Sequence, residues 1–354
     1  MNNSIGFGIL GAGLVSPFHA NAILHSNGGR LVAIADVDQA RANSRASEFG
    51  VEARHSLEAL LDDPAISVIN IATPNHLHFE AVLACAQAGR HVLCEKPPAM
   101  SLAETDQMVA ACKDAGVKFG CTVQCRVRDA VAAIKRAVDS GRFGQLLQAD
   151  TYMKWYRPAD YYHMDPWRSS RQCGAGVTIQ HAFHYIDLLV YLAGPMKRVD
   201  ARMTNLQHPS VNLEDTLSAF VEYESGAHGV VQATTALWPG SDLRVEIHGE
   251  NGTAILIGER MAEWKFKDEQ SDDEAIRRLG SAEQHTAAGG AADFGFRDHL
   301  VVVQDMIDAI LAGRDVVIPV ESVRHTLEVA LAMYASAKRS GPVALPLATD
   351  VEIW

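Results

Sequence analysis

The chain has 354 residues, 48% apolar and 21% charged, which is ordinary globular usage and excludes a disordered or fibrous chain. That length suggests two domains, with a core large enough to need neither disulfides nor a metal. With 31 Lys and Arg against 43 Asp and Glu the net charge is −12, which repels phosphate backbones and argues against a general nucleic-acid binder.

The six cysteines, Cys85, Cys94, Cys112, Cys121, Cys125 and Cys173, form no CxxC pair. They read as free thiols in a reducing compartment. No apolar run approaches the roughly 18 residues of a membrane span. Ile5–Val15 is apolar, but the first basic residue is Arg30, and Gly6, Gly8, Gly11 and Gly13 interrupt the run. That suits a buried strand and a tight turn better than a signal peptide. The expectation is a cytoplasmic, unprocessed protein with no membrane or nucleic-acid partner.

In chain order, Ile5–Leu10 reads as a strand, Leu14–Leu24 as a helix, Leu31–Ala35 as a strand and Gln39–Phe49 as a helix. The alternation goes on through Ile66–Ile71, His78–Ala88, His91–Cys94, Ala103–Ala115 and Lys118–Cys121. Strand and helix in turn with short links predict right-handed βαβ units and a parallel sheet. After a helix near Ala130–Val138 the pattern changes to successive strands: Leu146–Trp155, Val199–Thr204, Thr216–Tyr223, His228–Thr235, Leu243–His248 and Thr253–Ile257. Tyr223-Glu-Ser-Gly226 and His248-Gly-Glu-Asn-Gly252 are hairpin turns. The fold class is an α/β Rossmann domain, 1–125, followed by an α+β domain, 126–354, with a large, mostly antiparallel sheet. Asp268–Ala292 reads as a surface loop, partly mobile. Helices at His299–Ala312 and Val323–Arg339 close the second domain.

Gly8-Ile-Leu-Gly11-Ala-Gly13-Leu14-Val15-Ser16 joins the first strand to the first helix. Gly11 permits the tight turn, and Gly13 lets a pyrophosphate approach the backbone at the helix N-terminus, where Leu14 and Val15 open the helix. Asp36 ends the second strand twenty residues past Ser16. Its carboxylate suits the ribose hydroxyls of NAD and repels the extra phosphate of NADP, although Arg41 or Arg45 can reach such a phosphate. Thr73-Pro74-Asn75-His76-Leu77-His78 follows the strand ending at Ile71, at the carboxyl edge of the sheet where ligands bind. It also reads as a turn and helix start. Cys94-Glu95-Lys96-Pro97-Pro98 lies at the same edge, and a lysine there can stabilise the alkoxide of a hydride transfer.

Gly11-Ala-Gly13, Thr73-Pro-Asn75 and Glu95-Lys-Pro97, in this order, resemble the glucose–fructose oxidoreductase, inositol dehydrogenase and rhizopine-catabolism (Gfo/Idh/MocA) family. The resemblance implies a catalytic role for Lys96, with Thr73, Pro74, Asn75, His78, Glu95 and Lys96 lining the cofactor. Gly174-Ala-Gly176 through Gln180, His184 and Asp187 is similar to the family's glycine-rich segment and its helix, which presents Asp-xxx-His to the substrate. His184 takes the histidine's place as acid/base. Gln180 stands where many members have Asp, so His184 lacks an orienting carboxylate, and either Lys96 or His184 is the main acid/base. Spacing of four places Gln180 and His184 on one helix face. Arg126 matches a family arginine, and a helix cap or salt bridge explains it equally well.

Tyr152–Arg168 carries six aromatic residues with Arg157 and Arg168 among them. Rings cover the C–H faces of a polyol while arginines hold hydroxyls or a carboxylate. Trp155, Arg157, Tyr162, Trp167 and Arg168 therefore join Lys96, Arg126, Gln180 and His184 as substrate-site candidates, and Arg171 lies close by in sequence. His76, His78, His163, His181 and His184 lack a tight ligand motif, so no metal is expected. The function expected is NAD(P)-dependent hydride transfer, NAD before NADP, at a hydroxyl or carbonyl carbon of a sugar, sugar acid or cyclitol. The alternatives are a trans-dihydrodiol or biliverdin-type reductase and a non-catalytic NAD-sensing regulator. The resemblance implies a homodimer or homotetramer paired through the second sheet.

Overall fold

A computed structural model describes residues 4–280 and 295–351. The chain divides into two compact units, 1–124 with 295–324, and 125–294 with 325–354. The first crossing falls at Gln124/Cys125, beside the expected boundary. The rest of the expected division is corrected, because residues 295–324 return to the first unit.

The first unit runs β1 (Ile5–Leu10), α1 (Ser16–His25), β2 (Gly29–Ala35), α2 (Gln39–Phe49), β3 (Glu52–Arg54), α3 (Leu57–Leu61), β4 (Val68–Ile71), α4 (His78–Gln87), β5 (His91–Glu95), α5 (Leu102–Asp114) and β6 (Phe119–Thr122). The six strands are parallel in the order β3-β2-β1-β4-β5-β6. The sheet therefore reverses direction between β1 and β4, the place where such sheets bind ligands. β1, β2, β4 and β5 are buried on both faces, which is why they read as continuous apolar runs. β3 and α3 were not expected: β3 is three edge residues, Glu-Ala-Arg, with no apolar run.

The second unit runs α6 (Asp129–Asp139), β7 (Leu146–Lys154), α7 (Ala159–His163), α8 (Phe183–Ala193), β8 (Met196–Thr204), β9 (Thr216–Tyr223), β10 (His228–Thr234), β11 (Arg244–Gly249), β12 (Gly252–Ile257), β13 (Arg260–Phe266) and α9 (Asp273–Ile276). α10 (Arg297–Ala312) belongs to the first unit, where its Gln304 side chain meets the main chain of Asn27. α11 (Glu321–Arg339) and β14 (Val343–Ala344) end the described fold. The eight strands lie in the order β13-β12-β11-β7-β10-β9-β8-β14, antiparallel except for β10 on β7. Along β9 the inward side chains Leu217, Ala219, Val221 and Tyr223 are buried, whereas Ser218 and Phe220 face out. Of the expected loop 268–292, the described part contains the short α9, and 281–292 lies outside the described residues.

Candidate active site

Gly11 has φ +104°, and a Cβ there would stand 2.5 Å from the Ala72 carbonyl oxygen, so only glycine fits. At Gly13 a Cβ would meet nothing among the described residues within 4 Å. That open space lies before α1, whose first turn has no side-chain cap among the described residues and no acidic residue. An uncapped helix N-terminus beside an open glycine is a cradle for a pyrophosphate. Ser16 is fully buried, and its Oγ donates to the Gly13 carbonyl at 2.8 Å, closing the loop. Leu14 and Val15 are half-buried in that loop.

Asp36 accepts from Ala12 N through Oδ2 at 2.8 Å and from Asp38 N through Oδ1 at 2.9 Å. Each oxygen keeps a further lone pair for a ribose hydroxyl. Arg41 pairs with Asp38 and Arg45 with Glu48, which engages the two arginines that a 2′-phosphate would need. Thr73 Oγ1 is buried without a hydrogen-bond partner among the described residues. An orphaned hydroxyl at the carboxyl edge of the sheet fits a bound ligand.

Lys96 is anchored from both sides. Its N–H donates to Glu95 Oε2 at 3.2 Å. The carbonyl of Pro97 faces His78 Nδ1 at 2.8 Å, while His78 Nε2 faces the Thr73 carbonyl at 3.1 Å. His78 is fully buried with both nitrogens against main-chain carbonyls. This corrects its assignment to the cofactor: it packs between the Thr73 loop and the Lys96 loop and, as a neutral ring, donates to one of their two carbonyls. Burial outweighs those carbonyls and holds the ring below its ordinary value.

Glu95 Oε1 meets His19 Nε2 at 2.8 Å and His299 Nε2 at 3.9 Å. Burial pushes the carboxyl up, but the His19 hydrogen bond and the nearby His19, His299 and Lys96 prevail and hold it at about 2. Among the described residues this is the one group of His, Cys, Asp and Glu able to hold a metal, and it contains none of the five histidines considered in the sequence. Asn70 Nδ2 lies 2.9 Å from His19 Nδ1, so the ring is held between Asn70 and Glu95. His19, Asn70 and His299 were missed as sequence candidates, and the signal available was a histidine on the buried side of α1.

In the second unit Trp155, Arg157, Tyr161 and Arg168 cluster. The Arg157 and Arg168 guanidinium groups lie 5.6 and 4.9 Å from the Tyr161 ring centroid, and Arg157 lies 5.1 Å from the Trp155 ring. Arg168 Nη1 donates to the Tyr161 hydroxyl at 2.8 Å, and Gln180 Nε2 donates to it at 2.9 Å. The amide at position 180 thus supplies a donor that an ionised carboxylate lacks. Trp155 is 4% exposed, and its Nε1 has no hydrogen-bond partner among the described residues. Trp167 is half-buried with Arg168 over its ring at 4.7 Å.

Three expectations are corrected here. Tyr162 is core: its hydroxyl bonds Thr235 Oγ1 at 2.7 Å and its ring packs on His208. The neighbouring Tyr161, not singled out from the sequence, takes the place beside the arginines. Arg126 gives Nε and Nη2 to Asp187 at 2.7 and 2.6 Å, and Thr326 bonds the same carboxylate, so this is a buried structural pair. Gln180 and His184 do not share one α-helical face, because Val177–Ala182 is wound as a π-helix and α8 begins at Phe183. Such a turn is frequent at functional sites.

A doubly wound parallel sheet with this glycine loop, followed by a second α+β unit, defines a dinucleotide-dependent oxidoreductase. The model of the oxidoreductase family with an NAD-binding Rossmann fold, GFO_IDH_MocA, matches residues 5–123, and the GFO/IDH/MocA C-terminal domain matches residues 131–255. Levoglucosan dehydrogenase of Pseudarthrobacter phenanthrenivorans is 30% identical over 317 residues, covering 80% of this chain and 81% of that protein. Myo-inositol 2-dehydrogenase of Thermotoga maritima is 27% identical, covering 75% and 79%. The WlbA dehydrogenase from Bordetella pertussis, solved in complex with NADH and UDP-GlcNAcA, superposes with a TM-score of 0.86 at 29% identity, covering 97% of this chain and 99% of that one. The chain belongs to the GFO/IDH/MocA oxidoreductase family. It is an NAD-dependent dehydrogenase or reductase, and among the described residues no helix is long and apolar enough to cross a membrane.

Proposed function

We propose that the protein interconverts a hydroxyl and a carbonyl on a sugar, sugar acid or cyclitol, with Lys96 taking and returning the hydroxyl proton. The observation that carries the substrate side is the buried Trp155 Nε1, without a hydrogen-bond partner among the described residues, beside Arg157. A buried donor left unpaired costs about 1–3 kcal/mol, and a substrate oxygen is the partner it lacks. The relatives' names, levoglucosan and myo-inositol dehydrogenases, support the same substrate class.

NAD supplies the hydride acceptor when bound. The Gly11–Ser16 loop and the first turn of α1 receive the pyrophosphate, Asp36 the ribose, and Thr73 with Pro74 and Asn75 the nicotinamide side. Lys96 as the amine accepts the proton of the substrate hydroxyl as the carbon is oxidised. The ionised Glu95 favours the ammonium that results. In the reverse direction that ammonium stabilises the developing alkoxide. His184, Gln180, Trp167 and the aromatic–arginine cluster orient the polyol, with His184 as its acid/base partner.

The sheet face carrying the exposed Phe220 pairs subunits in a homodimer or homotetramer. Sedimentation tests this assembly. The six free thiols fit a cytoplasmic protein, which makes small molecules its partners rather than membranes or nucleic acids. The function is tested by a panel of polyols, sugars and sugar acids, with aromatic trans-diols as the contrasting class, read as NADH formation. Turnover confined to the aromatic diols would overturn it.

A further inference from the structure

His208 is 2% exposed, and both its ring nitrogens face acceptors. Nδ1 lies 2.9 Å from Asp215 Oδ2, and Nε2 lies 2.8 Å from the main-chain carbonyl oxygen of Arg157. Neither a carboxylate nor a carbonyl donates a hydrogen bond. Both contacts are hydrogen bonds only when both nitrogens carry protons. A neutral ring would set a bare lone pair against one of the two oxygens.

Asp215 is built to remain charged. Its oxygens accept from Leu206 N at 2.9 Å, Gln207 N at 2.8 Å and Thr216 Oγ1 at 2.9 Å besides His208. Burial raises the carboxyl, but these donors prevail and hold it below its ordinary value. The ionisable side chains of Asp215 and Tyr162, whose ring centroid is 4.7 Å away, flank the His208 ring. Arg157 N donates to the Thr235 carbonyl at 2.8 Å, and Thr235 N donates to the Asp215 carbonyl at 2.9 Å. The main chain bearing Arg157 is therefore tied to Asp215 by two routes, and only the His208 route can be broken by losing a proton.

We propose that His208, held as an imidazolium by Asp215, is a positioning residue that clamps the Trp155–Arg157 segment and so sets the affinity for the polyol. This rests on the reading of Trp155 and Arg157 as substrate groups. Losing the clamp lets the Trp155–Arg157 segment move, and substrate binding weakens about tenfold. The KM for the polyol rises, kcat moves less, and NADH affinity does not change.

The direct test is nitrogen-15 NMR of the histidine rings in the full-length protein, with His208 assigned by its absence from H208Q. Two protonated ring nitrogens at neutral pH are expected, and one bare nitrogen overturns the proposal. Steady-state kinetics of H208Q and D215N supply the second reading, where an unchanged polyol KM in a folded variant also overturns it. If a variant fails to fold, the wild-type spectrum decides. If the wild type turns over no polyol, the functional reading fails, while the ring protonation is still measured.

Discussion

His19 Nε2 lies 2.8 Å from Glu95 Oε1. This contact joins the helix that follows the glycine loop to the residue preceding Lys96, so the proposed phosphate cradle and the proposed catalytic lysine share one buried support. Asn70 holds the histidine ring from the other side. The Glu95 carboxyl is lowered from an ordinary 4.5 to about 2. A depressed carboxyl contributes stability that is complete above its unfolded value and is lost as pH falls through its folded one. Wild-type thermal stability should therefore fall between about pH 4.5 and about pH 2, with a smaller loss in Glu95→Gln. Identical acid profiles for the two proteins would refute the assigned role of Glu95.

The two loop glycines separate folding from binding. Gly11→Ala forces a Cβ to 2.5 Å from the Ala72 carbonyl at a positive φ, and should destabilise the protein by more than about 1 kcal/mol. Gly13→Ala meets nothing among the described residues, so its melting temperature should match wild type while NADH affinity drops. Calorimetry and fluorescence titration of both variants check this. Unchanged NADH binding in Gly13→Ala would place the pyrophosphate elsewhere.

On the proposed reading of the site, Asp36 sets the choice of cofactor. Removing its charge in Asp36→Ala should lower kcat/KM with NAD and raise it with NADP, since the repulsion of the 2′-phosphate disappears. Paired kinetics with the two cofactors decide. A wild type already preferring NADP would contradict the reading of this carboxylate.

Trp155→Phe removes the buried indole N–H that lacks a partner. A structural tryptophan would lose stability with this change. A substrate donor should keep the melting temperature near wild type while the polyol KM rises about tenfold, the effect of one hydrogen bond. Urea unfolding and steady-state kinetics on the same sample separate the two outcomes.

The first parallel sheet and its glycine turn were legible for physical reasons. Continuous apolar strands and the tight turn at Gly11 are written in short-range pattern. The return of α10 to the first unit was not legible, because it depends on pairings such as Asn27 with Gln304, far apart in the chain. The same holds for His19 with Glu95 and for His208 with Arg157. Tyr161 and Tyr162 were indistinguishable in sequence. They sit in a short helix between irregular segments, with no long period to say which ring faces the arginines. The π-winding of Val177–Ala182 depends on longer-range partners too: Glu214 bonds Thr178 N, and the bare face of Gly176 makes room for its carboxylate.

The central claim is that Lys96 carries the proton of the transferred hydroxyl. Lys96→Met keeps an unbranched stem to the ε position and removes the ammonium. NADH titration and steady-state turnover of the best polyol, measured on this one variant, test the claim most directly. NADH should bind as in wild type while turnover falls at least about a hundredfold, the scale of a lost general acid–base group. Near-normal turnover in Lys96→Met would contradict the account.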